Sequence, residues 1–221
     1  MDEDLLVVNK PAGLLSIPDG YNKELPHLRS ILESNYGALW IVHRLDKETS
    51  GLIVLARNVN AHRNLNESFR LRLVGKKYHG LVTPVPEWRE MNILLPLKTD
   101  ADRKHRTRVN YETGKDAHSI CRVLKRFDTG VLMEIQIMTG LTHQIRAHLR
   151  SYGLMILGEN LYNAGLPDPH FYSPRTMLHA RELTFNHPTT GKYVQFIAQY
   201  PEDFQDAYTK LRFTIGLDGE I

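Results

Sequence analysis

An α+β fold built on a mixed sheet is what this sequence predicts, and three observations lead there. Strand-like apolar runs occur in every third of the chain, helical patterns lie between them without a regular βαβ rhythm, and no repeat or low-complexity linker intervenes. Hydrophobic residues make up 42% and charged residues 24%, ordinary globular usage that excludes disordered, collagen-like and coiled-coil chains. No apolar run reaches the ~18 residues of a membrane span. The start, Met1-Asp-Glu-Asp, is acidic where a secretory signal would be basic. The single Cys121 excludes an internal disulfide framework and fits a reducing compartment. A cytoplasmic, monomeric protein without membrane attachment is expected, with all 221 residues in one domain.

Each element follows from its own pattern. Leu5 to Asn9 reads as a buried strand closed by the turn Lys10-Pro-Ala-Gly13. His27 to Asn35 predicts a short helix. Leu39 to His43 and Gly51 to Ala56 predict strands, with the polar segment Arg44 to Ser50 between them. In Asn58 to Leu73, Leu65, Phe69 and Leu73 recur at steps of four, an amphipathic helix. Lys77 to Thr83 returns to strand before Pro84 and Pro86 break the chain. Arg106 to Tyr111, His118 to Lys125 and Val131 to Met138 predict strands, the last alternating. Thr142 to Tyr152 predicts a helix, followed by turns as far as Pro174. Met177 to Phe185 and Lys192 to Ala198 close the sheet, and Pro201 to Leu211 forms a terminal helix.

Chemistry concentrates in a few segments. His43-Arg-Leu-Asp-Lys-Glu-Thr-Ser-Gly51 sets Asp46 at the end of a buried strand, where Arg44 and Lys47 favour its ionised form. A rigid, ionised carboxylate suits a nucleophile or general base. Equally, Asp46 suits an Asx turn, accepting from the N–H of Glu48 or Thr49. On a helix from Thr142, His143, Arg146 and Arg150 share one stripe, available to a carboxylate or phosphate or simply solvated. His143 and His148 diverge by about 140° on that helix, and no HExxH or cysteine pair exists, so no metal is expected. Tyr78 in Lys76-Lys-Tyr-His-Gly-Leu-Val82 suits base stacking or the core. The run from Arg103 to Arg108 suits phosphate contacts or a solvated loop.

In order, these blocks point further. Val8-Asn-Lys-Pro-Ala-Gly13, His43-Arg-Leu-Asp-Lys-Glu-Thr-Ser-Gly51, Lys77-Tyr78, Gly114-Lys-Asp-Ala, Thr139-Gly-x-Thr-His-Gln-Ile-Arg-x-His148 and Leu178-His-Ala…His187-Pro-x-Thr-Gly191 resemble the RluA/RluD-type family of RNA pseudouridine synthases. The resemblance runs from about Asp4 to Ala198. It implies a bilobed catalytic domain with a largely antiparallel sheet and a central active-site cleft. It also implies an isomerase that detaches, turns and rejoins uracil in ribosomal or transfer RNA, with no cofactor. Asp46 then takes the essential catalytic role, by addition to ribose C1′, by proton removal at C2′, or by attack on the uracil ring. Tyr78 packs on the base and assists deprotonation at carbon 5. Arg146 pairs with the catalytic carboxylate, keeping it ionised in a partly dry pocket. Arg44 serves base flipping, which buried reacting atoms require. His143, Gln144, Arg103, Lys104 and Arg106 are expected to bind RNA.

Departures stand beside the matches. Leu141 occupies a position where the family usually carries Arg or Lys, and Gly153-Leu-Met-Ile-Leu-Gly-Glu159 replaces a pattern with His-Pro after the first Gly and Asp after the second. They leave room for an RNA-binding or remodelling factor on the same scaffold. A glycosidase with paired carboxylates fits less well, because Asp46 and Glu48 are too close in sequence to flank a sugar. Met1 stands almost at the first strand, so the small RNA-binding domain that precedes many members is not expected in this chain. The net charge of +3 averages unlike regions. Residues 1–24 and 201–221 each carry 2 basic and 5 acidic side chains, while Arg57 to Lys77 carries six basic residues and only Glu67. Salt-sensitive RNA binding by the basic middle is expected.

Overall fold

The computed structural model describes residues 1–20, 22–162 and 173–213. Its elements are β1 (Leu5–Lys10), α1 (Leu28–Tyr36), β2 (Trp40–Ile41), β3 (Ser50–Ala56), α2 (Val59–Arg70) and β4 (Gly75–Thr83). There follow β5 (Glu90–Ile93), β6 (Leu97–Lys98), β7 (Arg108–Val109), β8 (Ser119–Arg126), β9 (Val131–Ile137), α3 (Gln144–Ser151) and β10 (Met155–Ile156). The chain closes with β11 (Leu178–Asn186), β12 (Tyr193–Ile197) and α4 (Glu202–Phe213). It divides into two compact units, Met1–Lys76 with Ala180–Gln199, and Lys77–His179 with Tyr200–Ile221.

In the first unit β3 is buried at every position, which is why it reads as a continuous apolar run. β1 pairs with it antiparallel, from Leu5 opposite Ala56 to Lys10 opposite Gly51. Period-two alternation sorts its side chains. Leu52, Val54 and Ala56 pack with Ala61 and Leu65 of α2 and with Leu183 and Phe185, whereas Ile53 and Leu55 pack with Leu6, Leu28 and Leu39. Each fully buried leucine contributes roughly 1.5–3 kcal/mol. Gly51, at φ 115°, approaches Ala180 so closely that a Cβ would lie 2.3 Å from its carbonyl oxygen. β11 and β12 form a hairpin whose His187–Gly191 turn is closed by two main-chain hydrogen bonds, so the Pro188-Thr-Thr-Gly signal is structural.

In the second unit β4, β9, β8 and β5 form an antiparallel series, with Tyr78 opposite Ile135 and Met91 opposite Cys121. Val131, Met133, Ile135 and Ile137 are buried while Leu132, Glu134 and Gln136 are half-buried, the alternation expected for β9. Mixed α+β structure with a mostly antiparallel sheet is therefore the observed fold class. No helix among the described residues is long and apolar enough to cross a membrane.

Several boundaries differ from expectation. The strand expected at Leu39 to His43 is only Trp40–Ile41, because the His43 ring Nε2 takes the Val54 N–H at 3.0 Å in place of a strand carbonyl. α2 stops at Arg70, since Arg72 is left-handed at φ 59°. α3 starts at Gln144 because His143 is also left-handed, at φ 55° and ψ 19°. Arg106 to Tyr111 contributes only the two-residue β7, paired with β6. β5, β6 and β10 carry no long apolar run and escape a pattern reading. Part of the turn-rich stretch before Pro174 lies outside the described residues.

Candidate functional site

Asp46 sits half-buried in the first unit, one residue past the buried Leu45 and between the exposed Arg44 and Lys47. Three devices hold its turn. The Ser16 hydroxyl donates to the Leu45 carbonyl at 2.9 Å and accepts the Leu45 N–H at 3.1 Å. Thr49 N–H donates to the main-chain carbonyl of Asp46 at 3.1 Å. Lys10 is 1% exposed, and its Nζ donates to the carbonyls of Pro11, Leu14 and Lys47 at 2.9, 2.7 and 3.1 Å. Gly13 N–H reaches the same Lys47 carbonyl at 2.9 Å. Closure of the turn thus has main-chain and Lys10 support that does not require the Asp46 carboxylate as an Asx cap. Lys10-Pro-Ala-Gly13, a plain turn signal in the sequence, braces the Asp46 segment from below.

His43, one residue before Arg44, stacks on Phe69 with ring centroids 4.6 Å apart. Burial, followed by the positive charge of Lys76, pushes its pKa down to about 3. The ring is neutral, and since Nε2 accepts from Val54, its proton is on Nδ1.

The second unit carries Tyr78, Arg146, His143, Gln144, Arg103, Lys104 and Arg106. Tyr78 is 8% exposed on β4. Arg146 donates from Nε to Glu159 Oε2 at 2.5 Å and from Nη2 to Oε1 at 2.7 Å. Glu159 Oε1 also accepts the N–H groups of Leu161 and Tyr162 at 2.8 and 3.3 Å. The guanidinium carbon lies 5.2 Å from the Tyr162 ring centroid, within cation–π reach. Tyr162 Oη accepts the Thr107 N–H at 2.8 Å and lies 3.2 Å from His143 Nδ1, while burial foremost raises the pKa of the phenol. Arg150 Nε donates to the Tyr162 carbonyl at 3.1 Å. The His143, Arg146, Arg150 stripe is therefore not a solvated face but converges on Tyr162. Gly158, at φ 73°, admits this geometry: a Cβ there would lie 1.8 Å from the Arg175 carbonyl oxygen.

Gln144 is tied into the interior. It is buried, with Nε2 donating to the His118 carbonyl and Ser119 Oγ, both at 3.0 Å, and Oε1 accepting from Thr139 Oγ1 at 2.7 Å and Leu141 N–H at 3.1 Å. All four hydrogen-bonding positions of the amide are filled from within, so the Gln144 side chain fastens α3 to β8. Ser119 Oγ passes the chain to His148 Nδ1 at 2.9 Å, and His148 Nε2 donates to the Leu95 carbonyl at 3.1 Å. Arg103 and Lys104 are exposed, but Arg106 is half-buried and shares Asp102 with Arg108, each at 2.7 Å. Against a desolvation cost, the hydrogen bond from Arg106 and the N–H groups of Arg106 and Lys104 hold Asp102 down to about 2. One carboxylate thus offsets part of the basic run.

Glu159, Tyr162 and Lys10 are the participants that sequence reasoning did not assign. Glu159 had a signal, as the acid in the departing Gly153–Glu159 segment; Tyr162 had none. Asp2, Asp4 and His187 bring ligand atoms within 4.8 Å of one another, but Asp2 accepts the N–H groups of Asp4 and Leu5, so the cluster serves the chain end.

Comparison with known proteins shows what the chain as a whole is similar to. Residues 4–151 match the family model described as RNA pseudouridylate synthase. The chain is 36% identical over 198 residues to the dual-specificity RNA pseudouridine synthase RluA of Pasteurella multocida, covering 89% of this chain and 90% of that protein. Identity to the RluA of Escherichia coli strain K12 is 36% over 204 residues, covering 92% and 91%. Among solved structures, human RNA pseudouridylate synthase domain containing 4 superposes with a TM-score of 0.77 at 27% identity, covering 96% of this chain and 91% of that one.

Proposed function

Because the chain belongs to the RNA pseudouridylate synthase family, we propose that Asp46 is the carboxylate with which it isomerises specific uridines in structured RNA. The reaction breaks the bond from uracil N1 to ribose C1′ and forms one from C5 to C1′, moving a proton from C5 to N1. No oxidant or reductant enters the balance, so the reading needs no cofactor. The observation that supports it is the braced turn: Lys10, Ser16 and Thr49 hold the main chain around Asp46, so the fold fixes where that residue stands. Rigid placement of a reacting group lowers the entropic part of a barrier.

Tyr78 packs against the target base and assists the late deprotonation at C5. Arg146, oriented by Glu159, supplies the positive charge that keeps the catalytic carboxylate ionised. Exposed Arg44 contacts the displaced nucleotide, since C1′ and the uracil ring are inaccessible in a stacked helix. Arg103 and Lys104, exposed on the second unit, bind phosphates, and the half-buried Arg106 and His143 add to the RNA contact.

We propose that both units form one catalytic domain, a reading supported by the family match that runs across the unit boundary at Lys76 and Lys77. Ribosomal and transfer RNA are the substrate classes proposed, and the dual specificity named for the relatives supports more than one. A cytoplasmic monomer completes the reading. A remodelling factor without activity is not favoured, since the relatives are synthases and Asp46 stands on an intact turn. The test is Asp46→Asn: the fold persists by circular dichroism, while pseudouridine mapping of RNA from cells carrying only the variant shows the loss of the sites the wild type modifies. Normal turnover by pure Asp46→Asn protein would sink the assignment.

A further inference from the structure

We propose that Lys76 and Arg72, set beside the Phe69–His43 stack, hold a phosphodiester of the RNA backbone close to Arg44, an inference that rests on the reading of RNA as the substrate. All of these residues belong to the first unit. Lys76 Nζ lies 5.9 Å from the Phe69 ring centroid, the Phe69 ring also stacks on His43 at 4.6 Å, and the Arg72 N–H donates to the Phe69 carbonyl at 3.1 Å. His43 directly precedes Arg44, so one aromatic pillar links the base-displacing arginine to the lysine.

Among the described residues, no carboxylate forms an ion pair with either cation of this corner. Burial first, and the charge of Arg72 second, push the Lys76 ammonium below the ordinary lysine value. Lys76 in turn depresses His43. Glu67 is the sole acid between Arg57 and Lys77, and Arg70 takes both its oxygens, at 2.7 and 2.5 Å. Among the described residues, neither Lys76 nor Arg72 makes an ion pair. Arg72 keeps its place on a left-handed backbone, φ 59°, a conformation costly for side chains other than glycine, asparagine or aspartate. A half-buried ammonium beside an aromatic ring, in the field of a second cation, is relieved by an anion from outside. In a protein that acts on RNA, the anion in excess is the backbone phosphodiester. The exposed run at Arg103 and Lys104 belongs to the other unit.

The test measures binding of a fluorescein-labelled RNA stem-loop, with uridines in the loop, by anisotropy from about 50 to about 250 mM salt. Lys76→Met and Arg72→Asn are each expected to weaken binding at low salt and to lower the slope of log affinity against log salt by roughly 0.7–0.9, the loss of one phosphate contact. Asparagine is chosen at position 72 because it tolerates the left-handed backbone. Lys76→Arg retains the slope. In protein whose lysines are reductively methylated with carbon-13, the Lys76 resonance is expected to titrate at higher pH once the stem-loop is bound. Slopes equal to wild type in both neutral variants overturn the site while leaving the RNA reading intact. Weaker binding with an unchanged slope also overturns it, since that marks a structural effect. Absence of stem-loop binding by the wild type at the lowest salt overturns this inference and the RNA reading together.

Discussion

Glu159 grips Arg146 with both carboxylate oxygens, 2.5 Å to Nε and 2.7 Å to Nη2, and its side chain is 3% exposed. Truncating one member of so buried a pair strands the other charge. Glu159→Ala is expected to lose about 3–5 kcal/mol of stability by urea denaturation. Glu159→Asp retains the charge and most of that stability, but its shorter reach releases one arm of the fork and lowers turnover. An unchanged urea midpoint for Glu159→Ala would show that the pair does not hold α3.

Tyr78 separates packing from chemistry. Tyr78→Phe keeps the ring in the core, so stability is expected to change by no more than about 1 kcal/mol. If the hydroxyl assists deprotonation at C5, single-turnover pseudouridine formation falls by about 10²-fold or more. Tyr78→Ala removes the ring as well and costs about 3–5 kcal/mol. Full activity in Tyr78→Phe would reduce the residue to a packing role.

Lys10 ties three carbonyls under the Asp46 turn. Lys10→Met fills the same space but leaves those acceptors buried, at about 1–3 kcal/mol for each one unsatisfied. The expected result is a lower melting temperature together with faster amide exchange at Gly13 and Thr49, whose N–H groups close the same turn. Unaltered exchange at both amides would mean that the main chain alone carries the turn.

His43 makes stability depend on pH. Its folded pKa is about 3 against an ordinary 6.5, so the unfolded chain takes up a proton below about pH 6.5 that the folded chain refuses. The contribution is present above that value and is lost as the pH falls towards 3. His148, also depressed by burial, acts with the same sign. Gln at position 43 supplies an acceptor for the Val54 N–H without titrating. Between about pH 6 and about pH 5, His43→Gln is therefore expected to lose about 1 kcal/mol less than wild type in urea denaturation. Parallel pH profiles would place His43 in a wetter setting than its stack with Phe69 implies.

How much of this was legible in the chain follows from the range over which each force acts. β3 and β9 were readable because burial on both faces, or on one, writes itself as a continuous or alternating apolar run. α2 was readable from its four-residue step, though its end was not, because a left-handed Arg72 has no signature in residue type. The family followed from motif order, and Asp46, Tyr78 and Arg146 came with it. What those motifs left open was the setting of each side chain. Gln144 looked like a polar group on offer, and the fold spends all four of its hydrogen-bonding positions inside. Arg106 looked like part of a free basic run, and Asp102 claims it.

The sequence by itself determined the fold class, the family and the chemical types at the site, because these depend on local periodicity and on side-chain identity. Only the tertiary structure decided which polar groups are already satisfied and which are not. Arg146 meets Glu159 across thirteen residues of chain, and Lys10 meets the Lys47 carbonyl across thirty-seven. Such pairs are set by how strands and helices pack, and hydrogen-bond satisfaction is a property of the packed interior that no window along the chain contains.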